Sequence, residues 1–295
     1  MSALAVRSAL TKVVDIDAHE GPVYVADEDA LYFTTLPRDL HVAIKRLSLA
    51  TGRVEIVRAE ANMANGMTLA PDGRLLVCEQ GTHVTRARIA AVDRVTGRAE
   101  TLLDMPLDLP LNSPNDIVVK RDGTIWFTDP TYGFLQGFRP TPSHGDFVWR
   151  FDPSTGRAAV VASDFDKPNG LAFSPDESVL YIGDSGANHE AGSFDPRRPH
   201  HIRAFDVADS RLVNDRLFTV TTPGFPDGIK VDAAGRVYAS SFTGVQVFDA
   251  TGELCGEITL PGAVNFTFGG AERNTLFITT DTAVWAAAVH NTKGA

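Results

Sequence analysis

The chain has 295 residues, 43% of them hydrophobic and 22% charged, with 27 Lys and Arg against 37 Asp and Glu for a net charge of −10. That balance argues against nucleic acid and anionic membrane as partners, because both require a field of Lys and Arg, and the Arg residues are scattered. No apolar stretch approaches the roughly 20 residues a membrane helix needs.

Residues 1–10 carry a single Arg and no long apolar region, so a secretory leader is not expected. Two cysteines, Cys78 and Cys255, make neither a disulfide framework nor a metal cluster. They are expected to be ordinary buried side chains in a reducing cytoplasm.

In chain order, the predicted elements begin with an unpartnered strand over residues 10–16, followed by six copies of one module. The copies open at Glu20, Asn65, Asn115, Asn169, Asp227 and Asn265, in steps of 45, 50, 54, 58 and 38 residues. Each opening runs into alternating apolar positions, and most then break at a turn such as Pro71-Asp72-Gly73, Arg121-Asp122-Gly123 or Ala234-Gly235. A second apolar run follows, often carrying an aromatic (Tyr32, Trp126, Tyr181, Tyr238, Phe277). Period-two alternation broken by Asp-Gly is the hairpin signal. A second hairpin recurs between these, as in Ala91-Val92-Asp93 then Thr96-Gly97, and Val247-Phe248-Asp249 then Thr251-Gly252.

Four strands per module at this period predict an all-β, six-bladed β-propeller with four antiparallel strands per blade, as one domain over residues 1–295. The last module has only its third strand, residues 283–289, before the chain ends. The N-terminal strand is therefore expected to supply the fourth and close the ring, leaving no open edge between the ends. The alternative, a two-sheet sandwich, does not usually repeat one four-strand module six times.

The innermost strand of a propeller blade faces the central channel. The six openings would then form a ring of oxygen-bearing side chains with no His or Cys. Such a set suits a hard divalent cation, whereas zinc calls for imidazole or thiolate. The competing account is that Asn and Asp before Gly are turn residues tolerating left-handed backbone. Glu20, a poor turn former, speaks against it.

Other candidates are weaker. Gly183-Asp184-Ser185-Gly186 copies a serine-protease nucleophile string, but the repeat explains it better, with Asp184 and Asp129 near the channel. His19, His41, His83, His144, His189, His200, His201 and His290 are expected at the surface, with His83 and His144 able to reach the channel mouth. Tyr132, Phe134 and Phe138, in the long insertion after Asp129, could wall a pocket or pack over the blade. Asn265-Phe266-Thr267 fits a glycosylation pattern but falls in a predicted inner strand.

Together Ser113-Pro114-Asn115-Asp116, Trp126-Phe127-Thr128-Asp129-Pro130, Lys167-Pro168-Asn169-Gly170-Leu171 and Phe225-Pro226-Asp227-Gly228 resemble the senescence-marker-protein/gluconolactonase family. Glu20-Gly21-Pro22 and Phe268-Gly269-Gly270 fit it as well, so the resemblance spans about residues 14–289. It implies a propeller holding one divalent cation in its channel on residues matching Glu20, Asn169 and Asp227, with Asn115 on metal or substrate. Ser113 stands where members resembling the vertebrate protein carry a basic residue, which points to the bacterial gluconolactonase branch.

The expected function is metal-dependent hydrolysis of a sugar lactone to the aldonic acid. Calcium is the first choice of ion, with magnesium, manganese or zinc as alternatives. Asp227 is expected to act as base or to place the water, and Glu20 to fix the ion. Asn65, Asn115, Asp116 and Tyr132 are the expected substrate contacts. An organophosphate or phosphofluoridate hydrolase on the same cage, or a non-catalytic calcium- or protein-binding propeller, are the competing functions. A closed ring needs no partner, so a monomer is expected.

Overall fold

In the computed structural model of the chain, residues 10–189 and 192–289 are described, and among them 24 strands form six antiparallel four-stranded sheets. Blade I holds Val23–Val25, Ala30–Thr34, Ile44–Ser48 and Val54–Arg58. Blade II holds Ala64–Leu69, Leu75–Glu79, Arg88–Val92 and Ala99–Leu103. Blade III holds Ile117–Val119, Ile125–Asp129, Phe147–Asp152 and Arg157–Ala162. Blade IV holds Pro168–Phe173, Val179–Asp184, His201–Ala208 and Arg211–Val220. Blade V holds Ile229–Val231, Val237–Ser241, Gly244–Phe248 and Leu254–Thr259. Blade VI holds Phe266–Gly269, Thr275–Thr279 and Ala283–Ala288, and its fourth strand is Thr11–Asp15 from the opposite end of the chain. The first strand of each blade neighbours the first strand of the next, which makes the sheets a ring: a six-bladed propeller.

The closing strand pairs Thr11 with Ala286 and Asp15 with Ala283. Its Val13 and Val14 pack into a cluster of Leu31, Phe33 and Leu47 from blade I with Phe277 and Val284 from blade VI. The expected closure is therefore present, and it is held by apolar side chains as well as by the ladder.

Each blade is sandwiched between two neighbours, so its second strand is buried on both faces, and alternate residues point to opposite junctions. Tyr32 joins the cluster with Met63, Met67, Leu75 and Val77 of blade II, while Leu31 and Phe33 face blade VI. In blade III, Ile125 and Phe127 pack with Ile89 of blade II, whereas Trp126 packs with Leu171 and Leu180 of blade IV. The six apolar clusters thus lie one to each junction between blades.

The hairpin turns follow their sequence signals. Asp72 Oδ1 accepts the Arg74 amide at 3.0 Å and Asp122 Oδ1 the Thr124 amide at 2.9 Å, and the intervening Gly73 and Gly123 take φ of +85° and +86°.

The openings behave differently. None of the six has a positive φ, and Asn65-Gly66 and Asn169-Gly170 lie inside strands Ala64–Leu69 and Pro168–Phe173. Their glycines answer to crowding at the axis. A Cβ on Gly66 would stand 2.4 Å from the Asn115 carbonyl oxygen, and one on Gly170 2.1 Å from that of Asp227. The same close approach allows Gly66 N to donate to Asn115 O at 2.8 Å and Gly170 N to Asp227 O at 3.1 Å. The turn account of these Asn-Gly pairs therefore fails.

Among the described residues no helix is long and apolar enough to cross a membrane. Cys78 is buried, but Cys255, expected to be buried too, is only half-buried, on the outer strand of blade V.

The axis contact predicts that Gly170→Ala costs about 3 kcal/mol, the upper end of overpacking. Gly156→Ala, at φ +68° with nothing within 4 Å, should cost only the left-handed strain of about 1 kcal/mol. Urea unfolding of the two variants checks the order; equal costs would remove crowding as the reason for Gly170.

Candidate active site

In each antiparallel hairpin the first strand begins level with the end of the second. The openings and the loops after the second strands therefore gather at one end of the channel. There a cavity of about 160 Å³ is lined by Glu20, Asn65, Asn115, Asn169 and Asp227, with Tyr132 and His19. Pro37, Gln80, Gln136 and Asn188 complete its wall. A larger cleft of about 670 Å³ lies on the outside between blades I and II, among paired side chains such as Arg86 and Arg88, and holds none of the expected site residues.

Five of the six openings thus meet in one cavity. The sixth, Asn265, is buried and does not line it; its Nδ2 donates to Glu20 Oε2 at 2.7 Å, and the Gly21 amide donates to the same oxygen at 3.1 Å. Asn265 therefore positions the carboxylate. Asp116 also stands outside the cavity wall. It is buried, accepts the Ile117 amide at 2.9 Å on Oδ1, and keeps Oδ2 3.7 Å from Lys230 Nζ.

Hydroxyls on the second strands of blades I, III and VI tie them to the next opening or to the residue before it. Thr34 Oγ1 donates to Asn65 O at 3.2 Å, Thr128 Oγ1 to Asn169 O at 2.8 Å, and Thr279 Oγ1 to His19 O at 2.6 Å. Two buried carboxylates brace the segments that lead into openings. Asp129 accepts the Asn112 and Ser113 amides at 3.0 and 2.9 Å, and Asp184 those of Asp166 and Lys167 at 3.0 and 2.9 Å. Asp129 and Asp184 thus lie near the channel but work on the backbone.

Ser185 is buried with its hydroxyl spent on the Pro226 carbonyl, so the protease-like string has no free nucleophile. Ser113 is likewise engaged. Its Oγ donates to Pro130 O at 2.6 Å and accepts the Gly133 amide at 2.9 Å, bracing the segment that carries Tyr132 into the wall. Phe134 is exposed and Phe138 joins the core between blades I and II, so only Tyr132 of the three aromatics reaches the cavity.

The histidines need correction. His19 lines the cavity, with Nδ1 hydrogen-bonded to Asp281 Oδ1 at 2.6 Å. His144 has a side chain only 4% accessible and stacks on Phe147, while His83 is exposed and bonded to Gly137 O at 3.0 Å; neither lines the cavity. His290 lies outside the described residues. Gln80, Gln136 and Asn188 went unanticipated because they sit on loops after second strands. Their signal is the hairpin geometry itself, which levels those loops with the openings.

The electrostatics are those of acids packed together. Burial, then the Glu20 charge, holds the Asp227 carboxyl well above the usual carboxylate range, against the pull of His19 and a hydrogen bond from Asn169. Asp227 keeps partial contact with the cavity, yet the surrounding protein dominates. Burial also raises Glu20, which His19, Asn265 and the Gly21 amide pull back down. At His19, burial favours the neutral ring, but the Asp281 hydrogen bond and the Glu20 and Asp227 charges outweigh it and raise its pKa.

Among the described residues no three His, Cys, Asp or Glu side chains gather as a metal cluster. The set that does converge is all oxygen, two carboxylates with the amides of Asn65, Asn115 and Asn169, and Asn65 Oδ1 is buried with no hydrogen-bond partner. These donors fit a hard divalent cation.

The SMP-30/gluconolactonase/LRE-like region model matches residues 18–282. The chain is 30% identical over 265 residues to a gluconolactonase of Zymomonas mobilis, covering 83% of this chain and 70% of that protein. It is 31% identical over 286 residues to a lactonohydrolase of Aspergillus oryzae, covering 88% of this chain and 65% of that one. Among solved structures, a gluconolactonase from Xanthomonas campestris aligns with a TM-score of 0.85 at 34% identity, over 98% of this chain and 93% of that one. The chain belongs to the SMP-30/gluconolactonase/LRE-like family. It spans about two thirds of the length of the two curated relatives.

Asp129 supplies a test of the bracing network. Burial pushes its carboxyl up to about 7 against the pull of the Asn112 amide, His144 and the Ser113 amide. The folded state then holds this proton more tightly than the unfolded chain. Its contribution to stability is full below about pH 4 and is lost as pH rises to about 7. Asp129→Asn cannot accept both amides, so it should cost about 1–3 kcal/mol and flatten the decline in stability across that window. Urea unfolding at stepped pH reads both, and an unchanged slope would contradict the assignment.

Proposed function

We propose that the protein is a divalent-metal-dependent hydrolase that opens a sugar lactone to the aldonic acid. Its class, lactonase, follows from family membership and from the gluconolactonase and lactonohydrolase relatives. The observation that carries the finer reading is the convergence of Glu20 and Asp227 with three amides in one cavity. We assign the ion to Glu20, Asn115, Asn169 and Asp227, with calcium the first choice for an oxygen-only set. When bound, a divalent cation supplies Lewis-acid stabilisation of the negative charge that builds on the lactone carbonyl oxygen.

The chain's own residues do the rest. Asn65, Asn115 and Tyr132 hold the sugar ring against the wall. Asp227, in the cavity wall beside Glu20, takes a proton from water as the water oxygen bonds to the carbonyl carbon. The ring C–O bond breaks, and the departing oxygen takes that proton back to become the hydroxyl of the aldonic acid. Glu20, fixed by Asn265, holds its place while charge moves. The reading includes a monomer acting in a reducing cytoplasm on a small-molecule substrate, without nucleic acid or membrane.

Asp227→Ala should lower kcat on aldonolactones by about 10²–10⁴, the usual worth of a positioned acid–base group, with the circular dichroism and thermal midpoint of a folded propeller. Glu20→Gln should lose activity and metal affinity together. Near-normal turnover by Asp227→Ala would remove it as the base.

A further inference from the structure

A second cavity, of about 340 Å³, opens beside the first over blades V and VI. Asp227 lines both cavities, and the second also includes Asp281, the partner of His19 in the first. The acid assigned as base thus stands in the wall of both, and the His19–Asp281 hydrogen bond links one wall to the other. Their chemistry differs. The wall of the first is nearly all carboxylate, amide and imidazole, whereas the second sets four apolar side chains, Phe225, Phe242, Ala263 and Val264, beside Asp227, Asp281, Ser240 and Ser241.

The aromatic side of this second cavity is a built surface. Phe242 packs edge-on against Phe225, with centroids 5.6 Å apart at 82°, and against Phe194, 5.1 Å apart at 65°. The ring lies on the backbone of Gly224, where a Cβ at φ +109° would come within 2.9 Å of it, and Phe242 N donates to Pro223 O at 3.1 Å. Phe242 is nonetheless 46% exposed and Phe194 39%. Single exposed apolar residues need no explanation, but a contiguous aromatic patch held open beside a polar cavity does. The first cavity, about 160 Å³, falls below the ~300 Å³ at which small-molecule pockets begin, whereas the second, about 340 Å³, exceeds it.

We propose that the second cavity is a subsite for an apolar substituent on the lactone, an alkyl or aryl group, seated on Phe225 and Phe242 while the ring ester lies in the polar cavity. The inference rests on the lactonase reading above. It extends the substrate class: among the lactones whose ring the polar cavity accepts, those bearing a hydrophobic group are preferred over their unsubstituted counterparts.

Two measurements test it. The first is calorimetric binding of γ-lactams, which resist hydrolysis, carrying hydrogen, butyl or phenyl on the ring. The butyl and phenyl compounds should bind about tenfold or more tightly than the parent, the worth of a few buried methylenes. Phe242→Ala should erase that preference and Phe242→Leu should retain part of it. Equal affinity across the series, or a preference that survives Phe242→Ala, overturns the subsite. The second is turnover of the matching γ-lactones, where the ratio of kcat/KM for phenyl over parent should fall in Phe242→Ala. If no lactone of any kind is turned over while the lactams still show the aromatic preference, the lactonase reading fails and the apolar subsite stands.

Discussion

The rest of the site depends on how closely the inner strands approach the propeller axis. Gly66 and Gly170 leave no room for a Cβ against the carbonyls of Asn115 and Asp227, and the space saved lets the second opening hydrogen-bond to the third and the fourth to the fifth. That packing sets five polar side chains around one cavity. Widening the axis by the thickness of a methyl group would separate the carboxylates from the amides. The glycines are thus part of the site without touching its cavity.

This convergence has an electrostatic cost. Glu20 is buried and Asp227 half-buried beside it, and the Glu20 charge holds the Asp227 proton more tightly. Such an arrangement persists only where the surrounding structure determines it strongly. Here the determinants are visible: Asn265 and the Gly21 amide fix Glu20, and Asp184 braces the segment before Asn169. The blade-to-blade apolar clusters supply the stability against which the acids are held.

Much of this was legible in the sequence because a propeller repeats its module. The spacing of Glu20, Asn65, Asn115, Asn169, Asp227 and Asn265 located five cavity residues, and the missing fourth strand of the last module pointed to Thr11–Asp15. What escaped was side-chain direction. Asn265 turns from the cavity to hold Glu20, and Asp116 points to Lys230 on the inner strand of blade V. His19 looked like one scattered imidazole among eight, and only the folded ring brings Asp281, 262 residues away, to its Nδ1. The Phe194–Phe242–Phe225 contact joins a long loop of blade IV to blade V, and no local period encodes it.

The central claim is that the oxygen-lined cavity hydrolyses lactones with a bound divalent ion. It is tested most directly by a pH-indicator hydrolysis assay on chelator-stripped protein. The assay offers a panel of aldonolactones, with each of calcium, magnesium, manganese and zinc added back singly and an organophosphate ester alongside. The account predicts that lactone turnover vanishes with the chelator and returns with one ion, calcium foremost. Turnover untouched by chelation would contradict the metal assignment. Phosphoester hydrolysis in the absence of any lactone hydrolysis would contradict the substrate class.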